Sequence, residues 1–280
     1  MMSHHTTPKR PVHPTRHHTP KILAQARPGP SPTLALWAVL LMALVFALVT
    51  GARAETYDHA PFDDLLATHV RGGGIDYDGL ADEEDKLDAY LAPAASYSAE
   101  GLSREEAMAF WINMYNAWTL KLILTKYPEI ESIKDLGSVF SSPWKKEFVK
   151  IGGKTLTLNE IEHAILREKY QDPRIHFAVN CASRSCPPLL AEAYLGDTLD
   201  AQLDAATIDF INNSANTRVE GNRLVVSRIF KWYKEDFGDD IAAYIGRYAE
   251  GPLKAAMAQA QGDLKVSFMA YDWSLNVPDA

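Results

Sequence analysis

Two thiols and one imidazole fall within eleven residues of this chain: His176-Phe177-Ala178-Val179-Asn180-Cys181-Ala182-Ser183-Arg184-Ser185-Cys186, closed by Pro187-Pro188. The chain has no other cysteine. A cysteine attacks as its thiolate, and a nearby imidazole or a set of N–H donors favours that form. Cys181 follows Ile175–Val179, an apolar run whose length fits a buried strand, and is the candidate nucleophile. His163 and His176 are the candidate bases, with Glu162 or Asn113 to orient the ring. Ser183, Arg184 and Ser185 could donate to an oxyanion. Five residues of extended chain span roughly 17 Å, so His176 meets Cys181 only if the segment folds back. His163, on a separate helix, has no such restriction and is the preferred base. The reaction such a set performs is hydrolysis or transfer of an amide or ester.

Two other uses of the sulfurs stay open. Cys181 and Cys186 enclose four residues, and a tight turn can bring their Cα atoms within disulfide range. A bridge would brace Asn180–Cys186 as the recognition loop of a non-catalytic binding module for a peptide, glycan or small molecule. Its entropic contribution would be modest, because the loop is short. Alternatively, Cys181, Cys186, His163 and His176 supply the ligand number of a closed zinc site, though their spacing matches no finger pattern. His59 and His69 read as surface or packing residues, and Trp232, Tyr233 and Trp273 as core.

The positioning elements follow from caps and periodicity. Ser103-Arg104-Glu105-Glu106 is a capping box that opens the longest helix, running to about Lys126. Apolar residues surround it nearly completely, which places it in the middle of the domain. Asn113 and Asn116 share one of its faces; each either satisfies buried backbone or lines a pocket. Thr157-Leu158-Asn159-Glu160 caps the helix that carries Glu162 and His163. Gly152-Gly153 joins two short strands as a hairpin. Helices are expected over 61–70, 83–91, 199–211, 228–237, 240–248 and 252–260, a turn-rich connection over 75–80, and strands near 218–219, 224–226 and 264–268. The aromatic tail Tyr271-Asp272-Trp273-Ser274-Leu275-Asn276 should dock. Mixed order with more helix than strand predicts an α+β fold: a helix-rich single domain, with a small, mostly antiparallel sheet packed on the central buried helix.

Phe110–Ala117, Asn159–His163, His176–Cys181 with Ser185–Pro188, Phe230–Phe237 and the closing Tyr271–Asn276 together resemble the domain of unknown function 547 family. The resemblance spans nearly all of 55–280 and implies a shared domain; it carries no activity, substrate or catalytic assignment. A histidine opening a strand beside a central buried helix is more distantly similar to papain-like and transglutaminase-like enzymes. Those place the nucleophilic cysteine at the start of that helix, where this chain has none.

Residues 1–54 differ in kind. The first 32 hold five histidines, seven prolines and no acid, a composition that does not fold. Leu34–Val49 is uncharged, and Ala52-Arg53-Ala54 follows as a cleavage signature. Basic, apolar and small-residue regions in this order predict a signal peptide cut after Ala54. Uncleaved, residues 34–49 would anchor the chain in a membrane. Either way 55–280 is expected to be exported, periplasmic or extracellular. The leader holds six of the chain's 28 basic residues and none of its 36 acidic ones. Residues 55–280 therefore carry 22 basic against 36 acidic residues, a balance of −14, which disfavours nucleic acid and anionic lipid as partners. No glycine-rich phosphate loop or other motif calls for a cofactor.

Overall fold

The computed structural model describes residues 55–138, 141–260 and 264–278. The leader expected over 1–54, with its signal or anchor segment, lies outside them. Among the described residues no helix is long and apolar enough to cross a membrane. The fold is α+β, as the mixed order of elements predicts.

Helix α1 (Ala60–His69) runs into the strand pair β1 (Val70–Arg71) and β2 (Gly74–Ile75), then α2 (Tyr77–Asp82) and α3 (Glu84–Leu91). The connection expected over 75–80 is largely helical, because the Asp76 side chain accepts from Gly79 N and caps α2. Helix α4 (Arg104–Leu124) is the centre. Ser103 Oγ accepts from Glu106 N, and Glu106 returns a bond to Ser103 N, so the predicted capping box forms. Fourteen of the 21 residues of α4 are buried, which explains why its sequence shows no polar face. The hairpin β3 (Val149–Ile151) and β4 (Lys154–Leu156) turns at Gly152-Gly153, both left-handed.

The Thr157 box is also present, but the helix it opens, Glu160–Tyr170, is wound as a π-helix. Nothing in its side-chain pattern explains the wide winding. The strand expected over Ile175–Val179 is absent. Pro173–Phe177 is a 3-10 helix instead. Asp172 caps it through Arg174 N at 3.0 Å, and Pro173 fixes the first helical φ, so the chain starts helical before its apolar run begins. Residues 178–198 then contain neither helix nor strand beyond one isolated bridge.

The second half is α5 (Leu199–Asn212), β5 (Thr217–Glu220), β6 (Arg223–Val226), α6 (Ile229–Trp232), α7 (Lys234–Phe237), α8 (Ile241–Tyr248), α9 (Gly251–Gln259) and β7 (Lys265–Phe268). The expected 228–237 helix is broken at Tyr233 (φ −113°, ψ 32°). Among the described residues the strands form three small sheets; in the largest, β6 pairs antiparallel with β5 and parallel with β7. That sheet packs through β5 on α5 and α9, while α4 is surrounded by helices. There are accordingly two cores. One centres on α4, and the other is an aromatic cluster of Phe177, Phe210, Phe230, Phe237 and Tyr244.

The tail docks as expected, and it docks on the cysteine loop. Ser274 O accepts from Arg184 N (2.8 Å) and Asp272 O from Ser185 N (3.2 Å). Asn276 O accepts from Ile75 N (2.7 Å), and Asn276 Oδ1 from Tyr77 OH (2.8 Å).

Asn113 satisfies backbone. Its Nδ2 donates to Tyr194 O at 2.8 Å and its Oδ1 accepts from Tyr194 N at 2.9 Å, with the residue fully buried. Asn113→Ala leaves both peptide groups unpaired and is expected to cost about 2–4 kcal/mol. Urea denaturation monitored by far-UV circular dichroism measures this; a loss under about 0.5 kcal/mol would show the clamp to be dispensable.

Candidate functional site

The site lies at the seam of the two cores. Ile175 and Ala178 pack in the core around α4, whereas Phe177 packs in the aromatic one. His176, between them, is 2 % exposed. Its Nε2 lies 2.6 Å from Asp236 Oδ2, and its ring stacks on Tyr233 with centroids 4.0 Å apart. A carboxylate can only accept, so in the neutral ring Nε2 carries the hydrogen and Nδ1 keeps its lone pair. That Nδ1 is buried and has no partner.

Arg167 grips the same carboxylate at both oxygens, with Nε 2.6 Å from Oδ2, which His176 also meets, and Nη2 2.9 Å from Oδ1. This two-point contact fixes the carboxylate plane and therefore the imidazole on it. Burial works to raise the Asp236 pKa; the His176 and Arg167 contacts outweigh it and hold the carboxyl well below the usual carboxylate range. Arg167 Nη1 also lies 2.9 Å from His163 Nδ1. A guanidinium only donates, so that lone pair is occupied and a positive charge sits beside the ring. His163, preferred as base for its place on a separate helix, thus has one ring nitrogen engaged by Arg167, whereas Nδ1 of His176 has no partner among the described residues. A 3-10 turn stands where a strand was expected, and His176 and Cys181 line the same cavity.

Cys181, Cys186, Glu162, His163 and His176 line one cavity of about 310 Å³. The two thiols are free and half-buried, with their sulfurs 2.8 Å apart. Cys181 Sγ also lies 3.0 Å from Ser183 Oγ and 3.3 Å from Tyr271 OH. Burial opposes ionisation of Cys181, but the contacts from Cys186, Ser183 and Tyr271 overcome it and lower its pKa. Burial, and then the neighbouring Cys181, push the Cys186 pKa well up. Among the described residues, neither sulfur has a histidine as a hydrogen-bond partner.

Glu162 is buried and accepts from Tyr115 OH at 3.0 Å and from Tyr233 OH. It does not orient a histidine. Asn113 does not reach the cavity, being consumed by Tyr194. Asn116 likewise holds backbone, with Nδ2 to Ala178 O at 3.0 Å and Oδ1 from Asn180 N at 2.8 Å. Asn180 shapes the loop: Nδ2 donates to Pro187 O, and Oδ1 accepts from Ala182 N, beside an Ala182 φ of 59°. Ser183 is fully buried behind Cys181. The Arg184 and Ser185 N–H groups are spent on the tail, so they are not oxyanion donors. Among the described residues no three His, Cys, Asp or Glu side chains gather as they would around a metal, so the four zinc ligands considered from sequence are not assembled as a closed site.

Several lining or supporting residues were not singled out by sequence. Asp236 and Arg167 are far from the cysteines in the chain, and no spacing links them. Trp232, Tyr233 and Trp273, expected as core, line the cavity instead, and Trp232 is 42 % exposed. His59 and His69 are packing residues, against Tyr90 and Glu83 respectively.

Residues 99–211 match the model of the family described as "Protein of unknown function, DUF547" and are a domain of that family. The match takes in α4, the π-helix and the cysteine loop; Tyr233, Asp236, Tyr271 and Trp273 lie beyond it. No curated protein and no solved structure matches the chain.

The acid limb of stability should report the Asp236 cluster. Its folded pKa lies below the unfolded one, so its contribution is complete above about pH 4 and is lost as pH falls through the depressed folded value. Asp236→Asn should therefore lower the melting temperature at pH 6, with the gap from the parent chain narrowing below about pH 4. A gap that stays constant or widens on acidification would refute the linkage.

Proposed function

We propose that this domain of unknown function 547, together with the chain that closes its cavity, is a cysteine-dependent hydrolase or transferase acting on an amide or ester. Cys181 is the nucleophile and His176 the base. The observation that carries this reading is the state of His176: one ring nitrogen fixed on Asp236, the other buried without a partner, in the cavity that Cys181 lines. A base needs a defined tautomer and an available lone pair, and the Asp236 contact supplies both. Resting-state distances between such partners often shorten only when substrate is bound.

In this reading Nδ1 takes the proton of Cys181, and the thiolate forms a bond to the acyl carbon. The amine or alcohol leaves with the proton returned by the imidazolium. Water or a second acceptor then attacks the thioester, giving up its proton to Nδ1 as the thiolate leaves, and the imidazolium returns that proton to the sulfur. The hydroxyls of Ser183 and Tyr271, close to the sulfur, are the nearest donors to the charge that develops. Arg167 acts only through Asp236. With an exported leader, the reaction would take place in the cell envelope.

A second reading is favoured by the sulfur contact. At 2.8 Å the pair is closer than two unbonded sulfurs prefer and needs only a small shift to bond. Bridged, the loop would be the braced recognition element of a non-catalytic module for a peptide or glycan.

Alkylation separates the two. The native chain, treated with iodoacetamide at pH 7 without reductant, is expected to gain one adduct, mapped by mass spectrometry to Cys181. No adduct until dithiothreitol is added would establish the bridge and remove the nucleophile. Hydrolysis of p-nitrophenyl acyl esters should fall at least about 100-fold in Cys181→Ala and in His176→Ala, and stay within about tenfold in His163→Ala. An intact rate in His176→Ala would assign the base elsewhere.

A further inference from the structure

The cavity contains a buried acid without a counter-charge. Glu162 is 6 % exposed, and its two oxygens accept from the phenols of Tyr115 and Tyr233. Burial holds both phenols far above their ordinary pKa, so they remain neutral donors. Among the described residues no lysine, arginine or histidine forms an ion pair with Glu162. The nearby Arg167 is committed to Asp236, Glu235 and His163. Among the described residues no lysine or arginine lines the cavity, whereas Cys181, the thiol whose acidity is raised, does. A buried carboxyl with only neutral partners is costly, and the chain that keeps one in a cavity gains when a cation enters.

The walls suit such a ligand. Trp232, Tyr271 and Trp273 form a contiguous aromatic cluster, with centroid separations of 4.7 Å (Trp232–Tyr271), 5.5 Å (Trp232–Trp273) and 4.5 Å (Tyr271–Trp273), and Trp144 joins it at 5.8 Å from Trp273. Ring faces are negative and attract ammonium and guanidinium groups, most strongly where water is excluded. Lys134, which is not part of the lining, already places its ammonium 3.8 Å from the Trp273 centroid.

We propose that this cavity binds a positively charged amine or guanidinium, with Glu162 as its counter-ion and the Trp232–Tyr271–Trp273 cluster as its wall, so that the substrate is an amide or ester bearing a basic side chain. The last clause rests on the acyl-transfer reading; the binding itself does not. The volume accommodates a side chain or a small ligand. A sugar would stack on the same rings but would leave the charge of Glu162 unanswered.

Isothermal titration calorimetry on the full chain tests this with four probes: Nα-acetyl-lysine amide, Nα-acetyl-arginine amide, the uncharged Nα-acetyl-norleucine amide, and N-acetylglucosamine. At least one basic probe should bind at least about tenfold more tightly than the norleucine analogue. Glu162→Gln should weaken that binding about tenfold or more, and the surface variant Trp232→Leu, which leaves the core intact, about threefold. Equal affinity for lysine and norleucine probes, binding of the sugar alone, or no heat with any probe overturns the proposal. Cation binding by a chain whose thiols prove bridged would sink the mechanism and keep the pocket. A single reactive Cys181 without cation preference would do the reverse.

Discussion

One buried amide side chain sets the geometry on which the rest depends. Asn116, on the central helix, reads the backbone on both sides of Val179, accepting from Asn180 N and donating to Ala178 O. It does for an irregular segment what a neighbouring strand does for a regular one. The need is physical, because residues 178–198 form no ladder of their own and buried peptide groups must be paired. Asn113, three residues earlier on the same face, repeats the device at Tyr194. Between these two pegs the chain is free to turn tightly. Asn180 uses that freedom to fold the loop back through Pro187, and Ala182 accepts a left-handed φ at a cost of about 1–2 kcal/mol. Cys186 thereby arrives beside Cys181.

The second constraint is the seam. The segment that carries His176 has Ile175 and Ala178 in one core and Phe177 in the other, so neither core can shift without moving the imidazole. The aromatic core contributes Asp236 from α7, the π-helix contributes Glu162, His163 and Arg167, and the tail contributes Tyr271 and Trp273. Arg167 ties two of these parts together, reaching from the π-helix to Asp236 and Glu235 on α7 while its Nη1 meets His163 on its own helix. A guanidinium suits the position, because its fork holds the Asp236 carboxylate at two points, and a lysine ammonium could hold it at only one.

Much of this scaffold is legible in the residues. Ser103 with Glu106, Thr157 with Glu160, and Gly152-Gly153 are local signals whose chemistry acts within a turn, and each forms where it reads. The cysteine loop is legible as a concentration of reactive side chains. What is illegible is long-range or ambiguous. Ile175–Val179 has strand length and strand composition, but Asp172-Pro173 has already set a helical start. Ile161, Ile165 and Leu166 fit an α-helix and give no warning of π winding. Asp236 is sixty residues from His176 and sits in a surface-like Lys-Glu-Asp run. Trp232 fits a buried pattern until the break at Tyr233 turns that helix, and Trp273 lies in a tail whose docking place no local signal gives. The assignment of the two histidines could not be made from sequence either, since it turns on which ring nitrogen meets an acceptor and which meets a guanidinium.

The two thiols are alike in sequence and unlike in place, and the difference decides which can react. Two negative charges 2.8 Å apart would repel by about 6 kcal/mol at an effective dielectric of about 20, so the pair ionises once. Ser183 Oγ and Tyr271 OH lie against the Cys181 sulfur and against each other, and with the Cys186 contact they favour the charge on Cys181, while burial and the neighbouring Cys181 raise the Cys186 pKa. Glu162 works against this, since its charge raises the Cys181 pKa. A cation seated on Glu162 would cancel that opposition and lower the Cys181 pKa further. The cavity's unanswered charge and its reactive sulfur are then parts of one arrangement, in which the ligand that fits is also the ligand that favours the thiolate.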